Sequence, residues 1–191
     1  MDAVDAIYGR RAIRDFTDAV PPREEVGALV DAAIQAPSGM NRQPWAFTVV
    51  SGRALLADWS AKAKAYLLAS LEPGSALHDA RQHLDAPDFN IFYNAPLLVV
   101  ICATDSDPMS LKDCCLAAEN LMLAAYDRGM GTCWIGFSES WLASPEGRTA
   151  LGIPADHVPA APIILGRPTH SPPRPHRTPA AVRWIEAVKV G

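Results

Sequence analysis

The chain has 191 residues, the length of one ordinary domain, and 49% of them are hydrophobic while 20% are charged. This composition is typical of a globular protein and argues against intrinsic disorder. The formal net charge of −4 gives no reason to expect nucleic acid or an anionic membrane as a partner. The sequence holds no run of 18 apolar residues that would predict a membrane span, and its N-terminus has no apolar signal segment, so we expect a cytoplasmic protein.

The first half of the chain is predicted to alternate helices with one loop and one strand. Apolar residues recur with the helical period after a proline pair, and aromatic and β-branched residues follow a segment broken by two prolines and a glycine. The predicted elements are helices over 2–8, 23–35 and 53–71, a loop over 36–44 and a strand over 45–50. Residues 72–92 give no clear pattern.

The second half predicts the centre of a sheet. Residues 97–103 form a continuous apolar run of strand length, which is typical of a strand covered on both faces. The remaining predicted elements are a long helix over 110–128 that ends before Gly129, strands over 133–135 and 161–165, and a helix over 145–151. The tail from residue 166 is rich in proline and is expected to be an extended arm, with a possible strand or short helix over 182–190. We find no internal repeat and expect one domain over 1–191.

Two sets of apolar positions complete the expected core. The predicted face of the long helix holds Leu111, Cys115, Ala118, Leu121, Met122 and Ala125. The four cysteines, Cys102, Cys114, Cys115 and Cys133, include no C-x-x-C pair and are interpreted as reduced core residues.

Three polar groups are candidates for chemistry. The first is a cluster of three arginines, Arg10, Arg11 and Arg14, which suits either a solvated surface or an anion. The second, Arg174 with His176 and Arg177, lies in the proline-rich arm. The third is the loop over 36–44, whose hydroxyl and amide side chains suit either a ligand or a self-contained hydrogen-bonded turn. A phosphate loop, a zinc-protease motif and a complete dinucleotide fingerprint are all missing from the sequence.

Taken together and in order, these segments resemble the nitroreductase family. The resemblance rests on RRAIRDF at 10–16, APSGMNRQPWAF at 36–47, NAPLLVVICA at 94–103, AAENLMLAAYDRGMGTCWIGF at 117–137, and LGRP followed by PPRPHRTP in the tail. It covers roughly residues 3 to 185 and is weakest over 55–92.

The resemblance implies an α+β fold, with a central, mainly antiparallel sheet between helices. It also implies a homodimer in which the arm at 166–191 embraces the partner, and one flavin mononucleotide (FMN) in each of two interface pockets. The implied cofactor-binding residues are Arg10, Arg11, Ala12, Arg14, Pro37, Ser38, Gly39, Asn41, Trp134, Ile135, Gly136 and Arg177. Arg174 is an alternative to Arg177, and either Asn90 or Asn94 is a candidate for the pyrimidine edge of the flavin.

The chain departs from the family pattern at Ala12, where a serine is usual. Loss of that hydroxyl donor predicts weaker binding of the phosphate group. The extra length lies between the first two strands, and the candidate pocket walls are Tyr66, Leu71, His83, Phe89, Phe92 and Tyr93, with core packing as the competing interpretation for each.

The implied activity is hydride transfer from NAD(P)H through flavin N5 to a small electron-poor acceptor, such as a nitroaromatic or a quinone, in a ping-pong cycle. No side chain is expected to act as a nucleophile, and no metal is expected. The alternatives are enone reduction or reductive dehalogenation on the same scaffold, an FMN-binding protein without activity, and a purely structural dimer. The sequence does not distinguish NADH from NADPH or identify the natural acceptor.

Overall fold

The computed structural model describes residues 2–70 and 81–186. Within those residues the chain folds as α+β, with four antiparallel strands in the order β1-β2-β4-β3. The strands are β1 (Trp45–Ser51), β2 (Leu97–Ala103), β3 (Gly131–Trp134) and β4 (Val158–Gly166). The helices are α1 (Ala3–Gly9), α2 (Arg23–Ala33), α3 (Arg53–Ser70), α4 (Arg81–Asp85), α5 (Pro108–Asp127), α6 (Glu139–Ala143) and α7 (Pro145–Leu151). The predicted fold class is confirmed.

The central strand β2 carries the core on both of its faces. All seven of its residues are buried, as the continuous apolar run predicts. Leu98 and Val100 pack with α3, α6 and α7, whereas Leu97 and Val99 pack with α2 and α5. Because successive side chains of a strand point to opposite faces, one strand serves both layers. β2 is therefore the centre of the core, and β1 and β4 pair with its two edges.

The long helix α5 has the capping signals that its sequence carries. The Asp107 carboxylate accepts the Met109 amide at 2.9 Å, and Pro108 occupies the first turn, so the helix begins two residues before the predicted start. Gly129 adopts φ 67° just after the helix, and its lack of a side chain permits this left-handed conformation. The predicted stop at Gly129 is confirmed.

Several predicted details are wrong. Cys115 is exposed, and its neighbour Cys114 takes the buried position on α5. The register differs because the buried stripe of α5 follows residues 114, 117, 118 and 121. Residues 182–186 form no regular structure, so the predicted terminal element is wrong over that part, and residues 187–190 lie outside the described residues. None of the helices in the described ranges is long and apolar enough to cross a membrane.

Candidate functional site

The arginine segment, residues 10–16, leaves the end of α1 and runs beside β3. Ala12 forms a parallel bridge with Thr132. The Ile13 amide donates to the Thr132 carbonyl oxygen at 2.9 Å. These backbone contacts fix the points from which the three arginines project.

Two of the three arginines have a buried Nε atom that makes no hydrogen bond. Arg10 Nε lies 3.5 Å from a carboxylate oxygen of Glu119 on α5. Arg11 donates its terminal nitrogens to the main-chain carbonyl oxygens of Arg10 and Tyr8. The Nε atoms of both arginines are buried and make no hydrogen bond. A buried donor without a partner is costly, so each of these atoms favours an acceptor that reaches it.

Arg14 lies where three cavities meet, and it lines all of them. The strand-end cavity, with Gly136 in its wall, has a volume of about 410 Å³. The asparagine cavity, with Asn94, measures about 440 Å³, and the arm cavity, with His170, about 320 Å³. We call the three arginines and these cavities the arginine corner.

The strand-end cavity is shaped by the way β3 ends. The Ile135 amide donates to the Pro162 carbonyl oxygen at 2.8 Å, which continues the pairing with β4 for one residue. The Ile135 carbonyl oxygen then accepts both the amide and the hydroxyl of Ser138, at 3.1 and 2.8 Å. This turns the chain sharply at Gly136. The Trp134 indole N–H donates to a carboxylate oxygen of Glu139 at 2.5 Å, and both residues line the cavity.

The wall between the strand-end and asparagine cavities is an aromatic stack. The Arg14 guanidinium lies 5.6 Å from the ring centroid of Tyr93, within the range of a cation–π contact. Tyr93 in turn meets Phe89 edge-to-face, with ring centroids 5.6 Å apart, and Phe89 is 6.3 Å from His83. Of the predicted wall residues, Tyr93 therefore contacts Arg14 directly and Phe89 packs behind it, whereas His83 lines none of the three cavities.

The other predicted wall residues have different positions. Phe92 is fully buried in the core, so the core interpretation is the correct one there. Tyr66 is 44% exposed on α3 and lines none of the three cavities. Leu71 lies outside the described residues. Asn90 and Asn94 both line the asparagine cavity and are joined by a hydrogen bond of 3.0 Å.

The polar loop, residues 37–43, leads into β1 and lies against the start of α5. β1 and β3, the strand beside the arginine segment, are the two opposite edges of the sheet. Three of its residues that are not glycine adopt positive φ: Met40 at 55°, Asn41 at 56° and Gln43 at 51°. Each such residue costs about 1 kcal/mol or more, and it persists only where the surroundings hold it. The loop shares no lining residue with the three cavities of the arginine corner.

Contacts with the start of α5 hold this strained loop. The Gly39 amide donates to Asp113 Oδ2 at 3.1 Å, and Asp113 is only 5% exposed. Arg42 forms ion pairs of 2.8 Å with both Asp105 and Asp107. Within the loop, the Ser38 hydroxyl accepts the amide of Gln43 at 2.9 Å. One anchor is therefore buried, and the other is a pair of solvent-exposed ion pairs.

The arm brings only part of the second basic cluster to the body of the chain. Arg174 lies 5.9 Å from the ring centroid of Tyr8 and lines a separate cavity with Arg11. Arg177 is exposed. His170, which the sequence did not single out, lines the arm cavity beside Ala12 and Arg14.

The buried cysteines are not activated for nucleophilic attack. Burial raises the pKa of Cys102 to about 11 and that of Cys114 to about 12. Burial also raises the pKa of Cys133, while the positive charges of Arg14 and Arg10 oppose the rise. At neutral pH these thiols are protonated. The effect on Cys133 also shows that both arginines lie close to β3.

Sequence reasoning missed two carboxylates that organise these regions, Asp113 and Glu139. Asp113 had a readable signal, because it lies four residues before Ala117 on the buried stripe of α5, where an acid is unexpected. Glu139 had none, because its role depends on a turn that places it beside Trp134.

The comparison with protein families matches residues 7–167 to the model described as the nitroreductase family. A proposed NADH dehydrogenase/NAD(P)H nitroreductase of Archaeoglobus fulgidus is 31% identical, over 87% of this chain and 86% of that protein. An iodotyrosine deiodinase of Thermotoga neapolitana is 28% identical, over 67% of this chain and 70% of its own.

Among solved structures, a nitroreductase with bound FMN from Desulfitobacterium hafniense superposes with a TM-score of 0.81 and 29% identity. The match covers 97% of this chain and all of that one. The family match includes the arginine segment, the polar loop and the end of β3. The chain belongs to the nitroreductase family.

Proposed function

We propose that this chain is an FMN-dependent oxidoreductase that takes hydride from NAD(P)H and reduces a small electron-poor acceptor. The observation that carries the proposal is the position of Arg14, which lines three adjoining cavities at the end of β3. Membership of a family with FMN-bound relatives supports the identity of the cofactor.

The residues present fit the two chemical parts of FMN. The buried Nε atoms of Arg10 and Arg11 make no hydrogen bond, although Arg10 Nε lies 3.5 Å from a carboxylate oxygen of Glu119. Guanidinium groups match phosphate oxygens. The strand-end cavity has apolar side chains from Ile91, Ile135 and Phe137 in its wall, which suit a flat ring. Ala12 offers no hydroxyl to a phosphate, so the arginines would carry most of that binding.

A bound FMN would supply the hydride chemistry, in a ping-pong cycle in which NAD(P)H and the acceptor use the same place in turn. Arg14 would orient the cofactor and stabilise negative charge beside it. The apolar wall of the strand-end cavity would exclude water. The protonated thiol of Cys133, which lines that cavity, takes no part as a nucleophile.

We further propose that the working unit is a homodimer in which the polar loop of one copy reaches the arginine corner of the other. Among the residues that the structure describes, the polar loop lines none of the three cavities of the arginine corner, so a second copy is the means by which both regions would contact one ligand. Exposed apolar side chains support this: Ile7 and Tyr8 on α1 are 59% and 63% exposed, and Met40 in the loop is 95% exposed. The arm also exposes Trp184, at 83%.

The test is reconstitution followed by reduction. The purified protein is incubated with FMN, freed of unbound flavin by gel filtration and titrated anaerobically with NADH and, separately, NADPH. Bleaching of the bound flavin by either nucleotide, in a particle of twice the chain mass, is the expected result. A monomer that retains no FMN from excess would overturn the proposal.

A second candidate activity is reductive dehalogenation, which the similarity to the Thermotoga neapolitana deiodinase favours. The same reduced protein distinguishes the two activities when it is mixed with iodotyrosine or with a quinone. Reoxidation by the quinone alone is expected for the proposed function, whereas release of iodide would assign the dehalogenase activity.

A further inference from the structure

A buried carboxylate lies directly under the strained polar loop. Asp113 is 5% exposed on the core-facing stripe of α5, beside Cys114 and Ala117. Its Oδ2 accepts the Gly39 amide at 3.1 Å. A carboxyl group at a buried position is unfavourable unless it is hydrogen-bonded, and a leucine there would suit the apolar surroundings better. The position of this acid therefore requires an explanation beyond packing.

The loop above it has a conformation that its own sequence does not favour. Met40, Asn41 and Gln43 all adopt φ between 51° and 56°, although none is glycine. Internal hydrogen bonds close the turn, such as that from the Asn41 amide to the Ser38 carbonyl oxygen at 3.0 Å, but they do not attach it to the rest of the chain. Residues 37–43 are attached by the Gly39–Asp113 hydrogen bond and by the ion pairs of Arg42. The next residue, Pro44, accepts the Thr104 amide at 3.1 Å.

These two attachments differ in their surroundings. The carboxylates of Asp105 and Asp107 and the side chain of Arg42 are between 36% and 47% exposed, and exposed ion pairs are weak and screened by salt. The Gly39–Asp113 bond is part-buried, its acceptor Asp113 is only 5% exposed, and it joins a main-chain donor to a group on a long helix. Of the two attachments, the bond to Asp113 is the one that acts directly on the main chain of the loop.

We propose that Asp113 is a positioning residue that, through the Gly39 amide, holds the polar loop in the shape needed to contact FMN across the subunit boundary. This inference rests on the proposed function, and it adds a residue that touches neither cofactor nor substrate. Its role is to restrict the loop before the ligand arrives, so that binding does not have to order it.

The experiment uses three variants of the full chain. Asp113→Ala removes the acceptor, Asp113→Asn keeps a carbonyl oxygen of the same reach, and Asp105→Asn removes one exposed ion pair as the matched control. Loop opening is measured on the flavin-free protein as the rate of trypsin cleavage after Arg42, relative to cleavage after Arg148 in α7. A variant that is merely unstable is cut faster at both arginines, whereas an unanchored loop is cut faster at Arg42 alone.

The functional readout is the dissociation constant for FMN, followed by kcat and KM with p-benzoquinone at saturating FMN. For Asp113→Ala we expect selective cleavage at least tenfold faster, an FMN dissociation constant raised about tenfold, and a KM raised more than kcat is lowered. Asp113→Asn and Asp105→Asn are expected to stay within about threefold of the unmodified chain.

The outcomes separate the inference from the function on which it rests. Unmodified protein that binds no FMN would overturn the proposed function, and the positioning role with it. Unmodified protein that binds FMN, together with an Asp113→Ala variant of unchanged affinity and KM, would overturn the positioning role alone. Equal loosening by Asp105→Asn would also overturn it, because the exposed pairs would then hold the loop.

Discussion

The arginine corner and the polar loop solve opposite physical problems. In the corner, the buried Nε atoms of Arg10 and Arg11 make no hydrogen bond, and Arg14 faces three cavities. In the loop, Gly39 and Arg42 are attached to α5, while the main chain carries three left-handed residues that are not glycine. The corner has binding capacity that is left unsatisfied, whereas the polar contacts of the loop are largely used. Positive φ is common to both regions, because Tyr93 at 52° and Asn94 at 53° line the cavities of the corner.

This contrast indicates how binding is divided between the two regions. Charged donors without a hydrogen bond supply affinity, because a buried donor destabilises the protein until a ligand accepts its hydrogen bond. A restrained loop supplies geometry, because its shape is fixed before binding. Deleting charge in the corner should therefore have larger effects on cofactor affinity than weakening the outer attachments of the loop.

The largest expected effect comes from removing two arginines from the two chain ends together, as Arg14→Ala with Arg177→Ala. A hydrogen bond to a charged group contributes about 1.5 to 3 kcal/mol, so losing two should weaken FMN binding at least about 100-fold. The measurement is flavin retained after gel filtration, with the dissociation constant taken from fluorescence quenching. The single variant Arg183→Ala, in the same exposed arm, is the control. A double variant that stays fully yellow would show that these residues do not hold the phosphate.

A second variant disturbs the corner without touching any charge. A Cβ atom on Gly131 would lie 2.7 Å from Ile13 side-chain atoms, so Gly131→Ala must push the arginine segment away from β3. Such overpacking costs about 1 to 3 kcal/mol, and we expect FMN affinity to fall about tenfold while trypsin cleavage after Arg42 stays unchanged. Thermal unfolding measures the loss of stability, and FMN titration measures the loss of affinity. Gly27→Ala, with nothing within 4 Å, is the control. Loosening of the polar loop in Gly131→Ala would contradict the independence of the two regions.

A third variant adds a donor to the corner. Ala12 lines the arm cavity with Arg14 and His170, and Ala12→Ser places a hydroxyl there. If the phosphate lies within reach, we expect affinity for FMN to rise about tenfold or more, because the new hydrogen bond is made to a charged group. The control is Ala61→Ser on the exposed side of α3. Unchanged affinity in Ala12→Ser would place the phosphate away from residue 12.

The sequence predicted the elements whose signals are local. The apolar run of β2, the period of α2 and the stop at Gly129 all follow from residues that are neighbours in the chain. It also identified the arginines and the polar loop, because the family motifs are contiguous segments. The predicted face of α5 was shifted at Cys115, since an alanine-rich helix has several faces of similar hydropathy.

The remaining features depend on contacts between distant segments. Gly39 and Asp113 are 74 residues apart, and no local pattern connects them. The meeting of three cavities at Arg14 depends on the turn after β3 and on the contact between Phe89 and Tyr93. Phe89 lies in the stretch that gave no clear pattern, and Tyr93 follows directly after it. Such juxtapositions arise from packing rather than from propensity, and a single sequence does not encode them in readable form.

The smallest expected effect concerns the outer attachment of the polar loop. Hydrogen bonding from the Met109 amide and then from Arg42 lowers the pKa of Asp107 below its usual value of 3.8. The ionised carboxylate is therefore favoured in the folded state, and its stabilisation is complete above the unfolded pKa and is lost as the pH falls through the lowered folded pKa.

The variant Asp107→Asn tests this, because it keeps a capping side chain at the start of α5 but removes the charge that faces Arg42. Since the ion pair is exposed, the melting temperature is expected to fall by only about 2 °C near pH 7. The difference should stay constant down to about pH 5, shrink below about pH 4 as the carboxylate of the unfolded chain is protonated, and vanish once the pH falls below the lowered pKa of the folded state. Added salt should reduce it as well. A difference that persisted unchanged at pH 3 and at high salt would mean that Asp107 acts by shape rather than charge. The attachment through Arg42 would then depend on packing and hydrogen bonding, as the Gly39–Asp113 attachment does, and the contrast between the two attachments would be lost.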